Sequence, residues 1–132
     1  MKKYKTAKEL LLSYLENIND PNRAIELFSL DAIVELPYLK SEDRPWNWRG
    51  IENIYSLLRN IPNAFKNIYF ENVQIHIETP DRIFAEYAMS CTIAGTGNKY
   101  SQTFVARIVA EKGEILFFRE SIDMLQSPKV HQ

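Results

Sequence analysis

The stretch Glu114-Ile-Leu-Phe-Phe-Arg-Glu-Ser-Ile-Asp-Met-Leu125 has the two-residue period of a β-strand. Side chains alternate between the faces of a strand, so one face should carry Leu116, Phe118, Glu120, Ile122 and Met124. Four of these five are large and apolar, which predicts a buried face. An unpaired carboxylate among apolar neighbours is costly. We therefore expect Glu120 to line a cavity, with a raised pKa or a fixed partner.

Three other strands come directly before this one in the second half of the chain. Val73, Ile75 and Ile77 alternate with polar residues, and residues 83–93 and 100–110 form two more apolar runs. The short connection at residues 111–113 is a tight hairpin, and the last strand is expected over residues 115–125. These features predict four consecutive antiparallel strands.

The first half of the chain has helical period instead. Thr6-Ala-Lys-Glu9 is a capping box that opens one helix, and Asp20-Pro21 opens a second. Residues 32–36 are a short strand that Pro37 should stop, and residues 38–49 are a loop. A third helix follows and should end at Pro62. The order of elements predicts an α+β fold made of one domain over residues 1–132, with a core at about 6–125.

Bulk properties exclude several classes of function. The 132 residues include 45% hydrophobic residues, as in an ordinary globular protein, and the net charge of -1 gives no global attraction to nucleic acid or to an anionic membrane. No apolar run is long enough to span a bilayer, and no signal peptide is recognisable. The single cysteine excludes an intrachain disulfide. We expect a cytoplasmic protein without membrane or nucleic-acid partners.

Metal and cofactor chemistry is not expected. The two histidines, His76 and His131, are far apart in sequence, and Cys91 has no histidine near it. Gly95-Thr-Gly97 is too short for a phosphate-binding loop. The prediction is therefore no metal and no cofactor.

Three groups of residues could form a site, and each has a structural alternative. Glu120 is either a proton-transferring group in a dry cavity or a buried carboxylate held by hydrogen bonds. The tyrosines either converge on a pocket or only pack, although Tyr14 lies on the core stripe of the first helix and must point inward. Trp46 and Trp48 either cover a pocket or contact another subunit, or they fix their own loop.

The order of these elements resembles the SnoaL-like branch of the nuclear-transport-factor-2-like superfamily. The resemblance rests on Leu36-Pro37-Tyr38, the loop with two tryptophans, Arg49-Gly50-Ile51 before a helix, and Arg119-Glu120 on the last strand. It implies a cone-shaped roll in which a curved antiparallel sheet wraps three N-terminal helices around a central pocket. It also implies a homodimer.

The resemblance extends to single residues. The resemblance places Tyr14 where ketosteroid isomerase has its oxyanion-hole tyrosine. Ketosteroid isomerase is a standard example of carboxyl pKa tuning. That enzyme's base and its protonated acid fall at Leu36 and Val105, so its chemistry is disfavoured. The phenazine-biosynthesis A/B proteins match best locally, and Glu120 corresponds to their acid–base glutamate.

Two hypotheses follow for function. The first is a pocket protein that binds an apolar ring compound, and the second is a cofactor-independent isomerase, cyclase or dehydratase using Glu120 with Tyr14. We expect the ligand-binding residues to be Leu36, Tyr38, Trp48, Leu58, Tyr87, Met89, Phe118 and Ile122. The outer face of the sheet, opposite the pocket, should form the homodimer contact. We expect it to carry Arg107, Phe117, Arg119 and His76.

Overall fold

The computed structural model describes residues 3–128 and confirms the α+β fold class. In chain order the elements are helix α1 (Ala7–Glu16), helix α2 (Pro21–Ala24), a 3₁₀ turn (Ile25–Leu27), strand β1 (Phe28–Glu35), a 3₁₀ helix (Pro37–Glu42), strand β2 (Asn47–Arg49), helix α3 (Ile51–Ala64), and strands β3 (Phe65–Thr79), β4 (Arg82–Ile93), β5 (Lys99–Glu111) and β6 (Glu114–Ile122). The sheet has the order β2-β1-β6-β5-β4-β3.

The helix starts follow the capping chemistry expected from the sequence. The Thr6 side chain accepts from the Glu9 amide, and the Glu9 carboxylate accepts from the Thr6 amide. Asp20 caps α2 through the Arg23 amide. The helices pack on the concave face of the sheet, where Leu10, Leu11, Ile54 and Ile108 are fully buried or nearly so.

One strand pairing differs from the expected antiparallel order. β1 pairs with β6 in parallel, with Val34 opposite Phe118 and Glu35 opposite Arg119. β2 continues the sheet beyond β1, inside the segment predicted as a loop. The rest of the sheet, from β6 to β3, is antiparallel as predicted.

The sequence predicted that the third helix ends at Pro62, but helix α3 extends beyond it. It continues to Ala64 with Pro62 inside its last turn. A proline lacks the amide donor and crowds the carbonyl four residues earlier, but at this position only the last turn of the helix is affected. The Phe65 amide closes that turn by donating to the Ile61 carbonyl. The Lys66 ammonium also donates to the Pro62 carbonyl at 2.7 Å.

Bulges bend the sheet and change the faces of two strands. On β6, Val109 pairs with Phe117 and Ala110 pairs with Ile115, so Leu116 is an extra residue. Ile115 is therefore buried in place of the predicted Leu116. On β3, register shifts lie near Asn67, Asn72 and His76, and both asparagines have left-handed backbone angles. This is why β3 bends and why Val73 and Ile77 face outward.

Among residues 3–128, no helix combines the length and apolar character needed to cross a lipid bilayer. Within the same residues, no group of three His, Cys, Asp or Glu side chains could hold a metal ion.

Candidate functional site

A cavity of about 530 Å³ lies between the helices and the concave face of the sheet. Its wall is largely apolar and is formed by residues from nearly every element. Those with apolar side chains include Ile18, Val34, Leu36, Leu39, Trp48, Leu57, Ile61, Ile68, Phe70, Met89, Ile93, Phe104 and Ile122. A cavity of this size and lining is typical of sites that hold a small organic molecule.

Glu120 brings a carboxyl group into this apolar wall. It sits opposite Ala106 of β5, on the concave face, because the alternation from Phe118 onward is regular. The Tyr87 hydroxyl donates a hydrogen bond to Glu120 Oε2. Burial raises the pKa of Glu120 to about 7, although the Tyr87 hydrogen bond acts in the opposite direction. At neutral pH the carboxyl group is thus populated in both protonation states.

Two tyrosines surround this carboxyl group. Burial and then the charge of Glu120 raise the pKa of the Tyr14 hydroxyl and of the Tyr87 hydroxyl well above the ordinary value. Both phenols therefore keep their protons and act as hydrogen-bond donors. Tyr14 lines the cavity, and its hydroxyl has no hydrogen-bond partner among residues 3–128.

The aromatic rings around Glu120 are fixed by packing. Tyr14 makes an edge-to-face contact with Phe118 at a centroid distance of 4.9 Å. Tyr87 contacts Phe70 and Phe104 at 5.8 Å and 5.3 Å. Because each ring is held on at least one side by another ring, the two hydroxyl groups have defined positions.

A second polar group lies in the same wall and was not foreseen from the sequence. It consists of Arg44, Tyr100 and Ser127. Arg44 Nη1 donates to Glu42 Oε1 and to Ser127 Oγ, both at 3.2 Å. Arg44 stands in the segment 38–49 between acidic residues and Pro45, and its inward direction depends on the 3₁₀ helix that the sequence did not reveal.

Six of the ten residues predicted for the site line the cavity. They are Tyr14, Leu36, Trp48, Met89, Glu120 and Ile122. Trp46 lies apart from them, under the Lys40 ammonium at 5.4 Å.

The other four predicted residues have different positions. Tyr38 is 54% exposed, because the 3₁₀ helix that begins at Pro37 turns it outward. Leu58 is buried in the core, and its neighbour Leu57 faces the cavity instead. Phe118 and Tyr87 are each 1% exposed and stand behind the wall, where they support Tyr14 and Glu120.

Arg119 takes no part in the cavity. Its Nε donates to Glu35 Oε1 at 2.9 Å on the convex side of the sheet. This agrees with the expectation that Arg119 and Glu120 point to opposite faces and do not pair.

The family model described as a SnoaL-like domain matches residues 13–117. This chain belongs to the SnoaL-like domain family. The membership confirms the resemblance inferred from the sequence. Among curated proteins, none matches the chain in sequence.

Solved structures show the same fold at low sequence identity. A Bacillus subtilis protein provisionally assigned as an isomerase is 23% identical, with a TM-score of 0.82 over 90% of this chain and 87% of that one. A phenazine biosynthesis-related protein of Pseudomonas aeruginosa is 18% identical, with a TM-score of 0.75 over 95% and 89%. A Xanthomonas campestris protein provisionally assigned as a polyketide cyclase is 17% identical, with a TM-score of 0.75 over 90% and 91%. At these identities the likeness concerns the SnoaL-like fold alone.

Proposed function

We propose that this SnoaL-like protein binds an apolar small molecule containing one or more rings. The observation that carries the proposal is the cavity of about 530 Å³ with a mostly apolar wall. Trp48, Phe65, Phe70 and Phe104 offer flat aromatic surfaces to such a molecule. Assignment of related folds to isomerases and polyketide cyclases supports a ligand of this class.

Binding can be tested with the neutral dye N-phenyl-1-naphthylamine, whose fluorescence rises in apolar surroundings. Leu57→Trp adds volume at the cavity wall and should lower dye affinity about tenfold or more. Ser56→Trp is the control, because Ser56 is an exposed neighbour on the same helix. Equal binding by the two variants would show that the dye sits elsewhere and would contradict the proposal.

A second function, acid–base catalysis, is favoured by one specific observation. Glu120 has a pKa of about 7, lines the cavity, and lies within the electrostatic reach of the protonated Tyr14. A carboxyl group with this pKa can accept or release a proton near neutral pH, and a phenol can stabilise a developing oxyanion. This arrangement suits an isomerisation, cyclisation or dehydration that begins with proton removal from carbon.

The catalytic proposal can be tested before the natural substrate is known. In 5-nitrobenzisoxazole, removal of the ring C–H proton by a carboxylate breaks the N–O bond and releases a coloured phenolate. The rate should rise with pH through about 7, since only ionised Glu120 accepts the proton. Glu120→Gln should lower the rate by roughly 10²-fold or more. A rate unchanged by this substitution would exclude Glu120 as the base.

We also propose that a second copy of this chain covers the convex face of the sheet. Phe117 alone does not require such cover, because the Arg107 guanidinium stacks on its ring at 4.8 Å. The stronger argument comes from Ile77 and Phe84, which are 68% and 42% exposed and pair directly across β3 and β4. Arg107 pairs with Phe84, and Glu86 lies two positions along β4, so a two-fold related copy can match opposite charges around an apolar centre.

A further inference from the structure

The cavity has two polar groups, and they occupy different parts of the wall. Glu120 pairs with Ala106 on β5, whereas Tyr100 lies six residues earlier on the same strand. Gln102 and Phe104 lie between them on the inward side of β5, and Phe104 also belongs to the wall. Six residues of extended strand span at most ~20 Å. The two groups are therefore separated along the wall, and a ligand that contacts both extends along β5 and places an apolar part against Phe104.

Arg44 is the cation of the second polar group, and only one of its three guanidinium nitrogens makes hydrogen bonds within the described part of the chain. That nitrogen, Nη1, donates to Glu42 Oε1 and to Ser127 Oγ, at 3.2 Å each. Among residues 3–128, neither Nε nor Nη2 has a hydrogen-bond partner. These two nitrogens form the edge of the guanidinium whose parallel N–H groups fit the two oxygens of a carboxylate.

Tyr100 supplies a further donor beside Arg44. Its hydroxyl oxygen accepts a hydrogen bond from Gln102 Nε2 at 2.8 Å, which leaves the hydroxyl proton available for donation. Burial raises the pKa of Tyr100, while the Gln102 bond and then the charge of Arg44 act in the opposite direction. Arg44 is therefore close enough to act on Tyr100, whereas no cation contributes to the pKa of Glu120.

We propose that Arg44 and Tyr100 bind a carboxylate on the ligand, at the end remote from the group that meets Glu120. The inference rests on the proposed binding function and narrows its ligand class from apolar ring compounds to elongated aromatic or polycyclic acids. A carboxylate at this position exchanges its hydration for a guanidinium fork and a phenol. Glu42 remains the counter-ion of Arg44 through Nη1, so the ligand need not displace it.

Two dyes that differ in one anionic group provide the test. 1-Anilinonaphthalene-8-sulfonate carries a sulfonate, and N-phenyl-1-naphthylamine has the same ring system without it. Both are titrated into the full chain and into Arg44→Gln, Arg44→Lys and Tyr100→Phe. Arg49→Gln is the control, because Arg49 is exposed and outside the cavity wall.

We expect Arg44→Gln to weaken binding of the sulfonate dye by about tenfold or more and to change binding of the neutral dye less than about twofold. Tyr100→Phe should weaken the sulfonate dye by a smaller factor, and Arg44→Lys should retain part of the affinity. Arg49→Gln should leave both dyes unchanged.

Three results would overturn the inference, and they separate it from the binding proposal. If Arg44→Gln weakens both dyes equally, the side chain supports the wall and does not recognise the anion. If it weakens neither dye, the anion is bound elsewhere. If neither dye binds, or if Leu57→Trp leaves both unchanged, the binding proposal fails and this inference fails with it. Neutral-dye binding by Arg44→Gln shows independently that the variant is folded.

Discussion

At the scale of single residues, the pKa of Glu120 links the cavity to the stability of the fold. The folded protein holds this proton with a pKa of about 7, compared with 4.5 for an ordinary glutamate. The carboxyl is therefore most compatible with folding when it is neutral. Between pH 4.5 and 7 the carboxyl group ionises in the unfolded chain but not in the folded protein. The contribution of Glu120 to the free energy of unfolding is therefore highest below pH 4.5 and decreases as the pH rises towards 7.

We predict that Glu120→Gln removes this pH dependence. The amide keeps the size of the side chain and still accepts the Tyr87 hydrogen bond, but it does not ionise. The difference in free energy of unfolding between the variant and the wild type should grow in favour of Gln between pH 4.5 and 7, by on the order of 3 kcal/mol. Urea denaturation at several pH values measures it. A difference that is constant with pH would contradict the prediction, and Glu114→Gln, on the exposed part of β6, is the matched control.

Tyr87 should tune the same proton. Its hydroxyl donates to the Glu120 carboxylate and so lowers a pKa that burial raises. We predict that Tyr87→Phe, which keeps the buried ring, raises the pKa of Glu120 above about 7. Side-chain carboxyl NMR titration measures the value. Tyr55→Phe is the control, since that hydroxyl bonds to Asn22 outside the cavity wall. A pKa that stays near 7 or falls in Tyr87→Phe would show that the hydrogen bond does not favour the ionised form.

At the scale of elements, Gln102 determines where β6 ends. Its Nε2 donates to the Tyr100 hydroxyl and to the Asp123 carbonyl, and its Oε1 accepts from the Asp123 and Thr103 amides. The Asp123 amide and carbonyl are thus hydrogen-bonded to the Gln102 side chain and not to the backbone of a neighbouring strand. This is why β6 stops at Ile122, although the sequence pattern continued to Leu125.

We predict that Gln102→Met destabilises the fold by on the order of 3 kcal/mol, because it leaves the Asp123 backbone groups and the Tyr100 hydroxyl without partners. The Asp123 amide should also exchange its hydrogen much faster. Gln74→Met, at an exposed position of β3, is the control and should change neither quantity appreciably. Wild-type protection of the Asp123 amide in Gln102→Met would contradict this account.

The sequence predicted the elements well and the faces of bent elements poorly. Capping residues at Thr6 and Asp20 act through their immediate neighbours, so the helix starts could be read from the sequence. The bulge at Leu116 and the left-handed Asn72 depend on the partner strand, and neither leaves a local signal. The same limit applies to the site. Alternation identified Glu120, but the direction of Arg44 depends on a turn whose end at Asp43 has a left-handed backbone.

At the scale of the whole molecule, the proposed homodimer makes a direct prediction. Phe84→Glu places a charge at the apolar centre of the convex face and should convert a dimer to monomer. Leu12→Glu is the control, because Leu12 on α1 is also 42% exposed and lies away from the sheet. Light scattering at micromolar concentration measures both. A monomeric wild type, or a Phe84→Glu dimer, would refute the proposed contact. The cytoplasmic location expected from the sequence stays a prediction.

The parallel pairing of β1 with β6 has a consequence for the order of folding. Glu35 and Arg119 are 84 positions apart, and they meet only when the two strands align. The hairpins from β3 to β6 bring together residues much closer in sequence, so their loops close with a smaller loss of entropy. We therefore expect β3 to β6 to assemble first and the register of β1 to be set late. Glu35 on β1 pairs with Arg119 on β6. Two residues of the cavity wall, Leu36 and Glu120, come directly after these two in the sequence. The cavity should consequently be among the last parts of the molecule to acquire its native form, and the apolar concave face of the sheet should be transiently open to other hydrophobic chains during refolding.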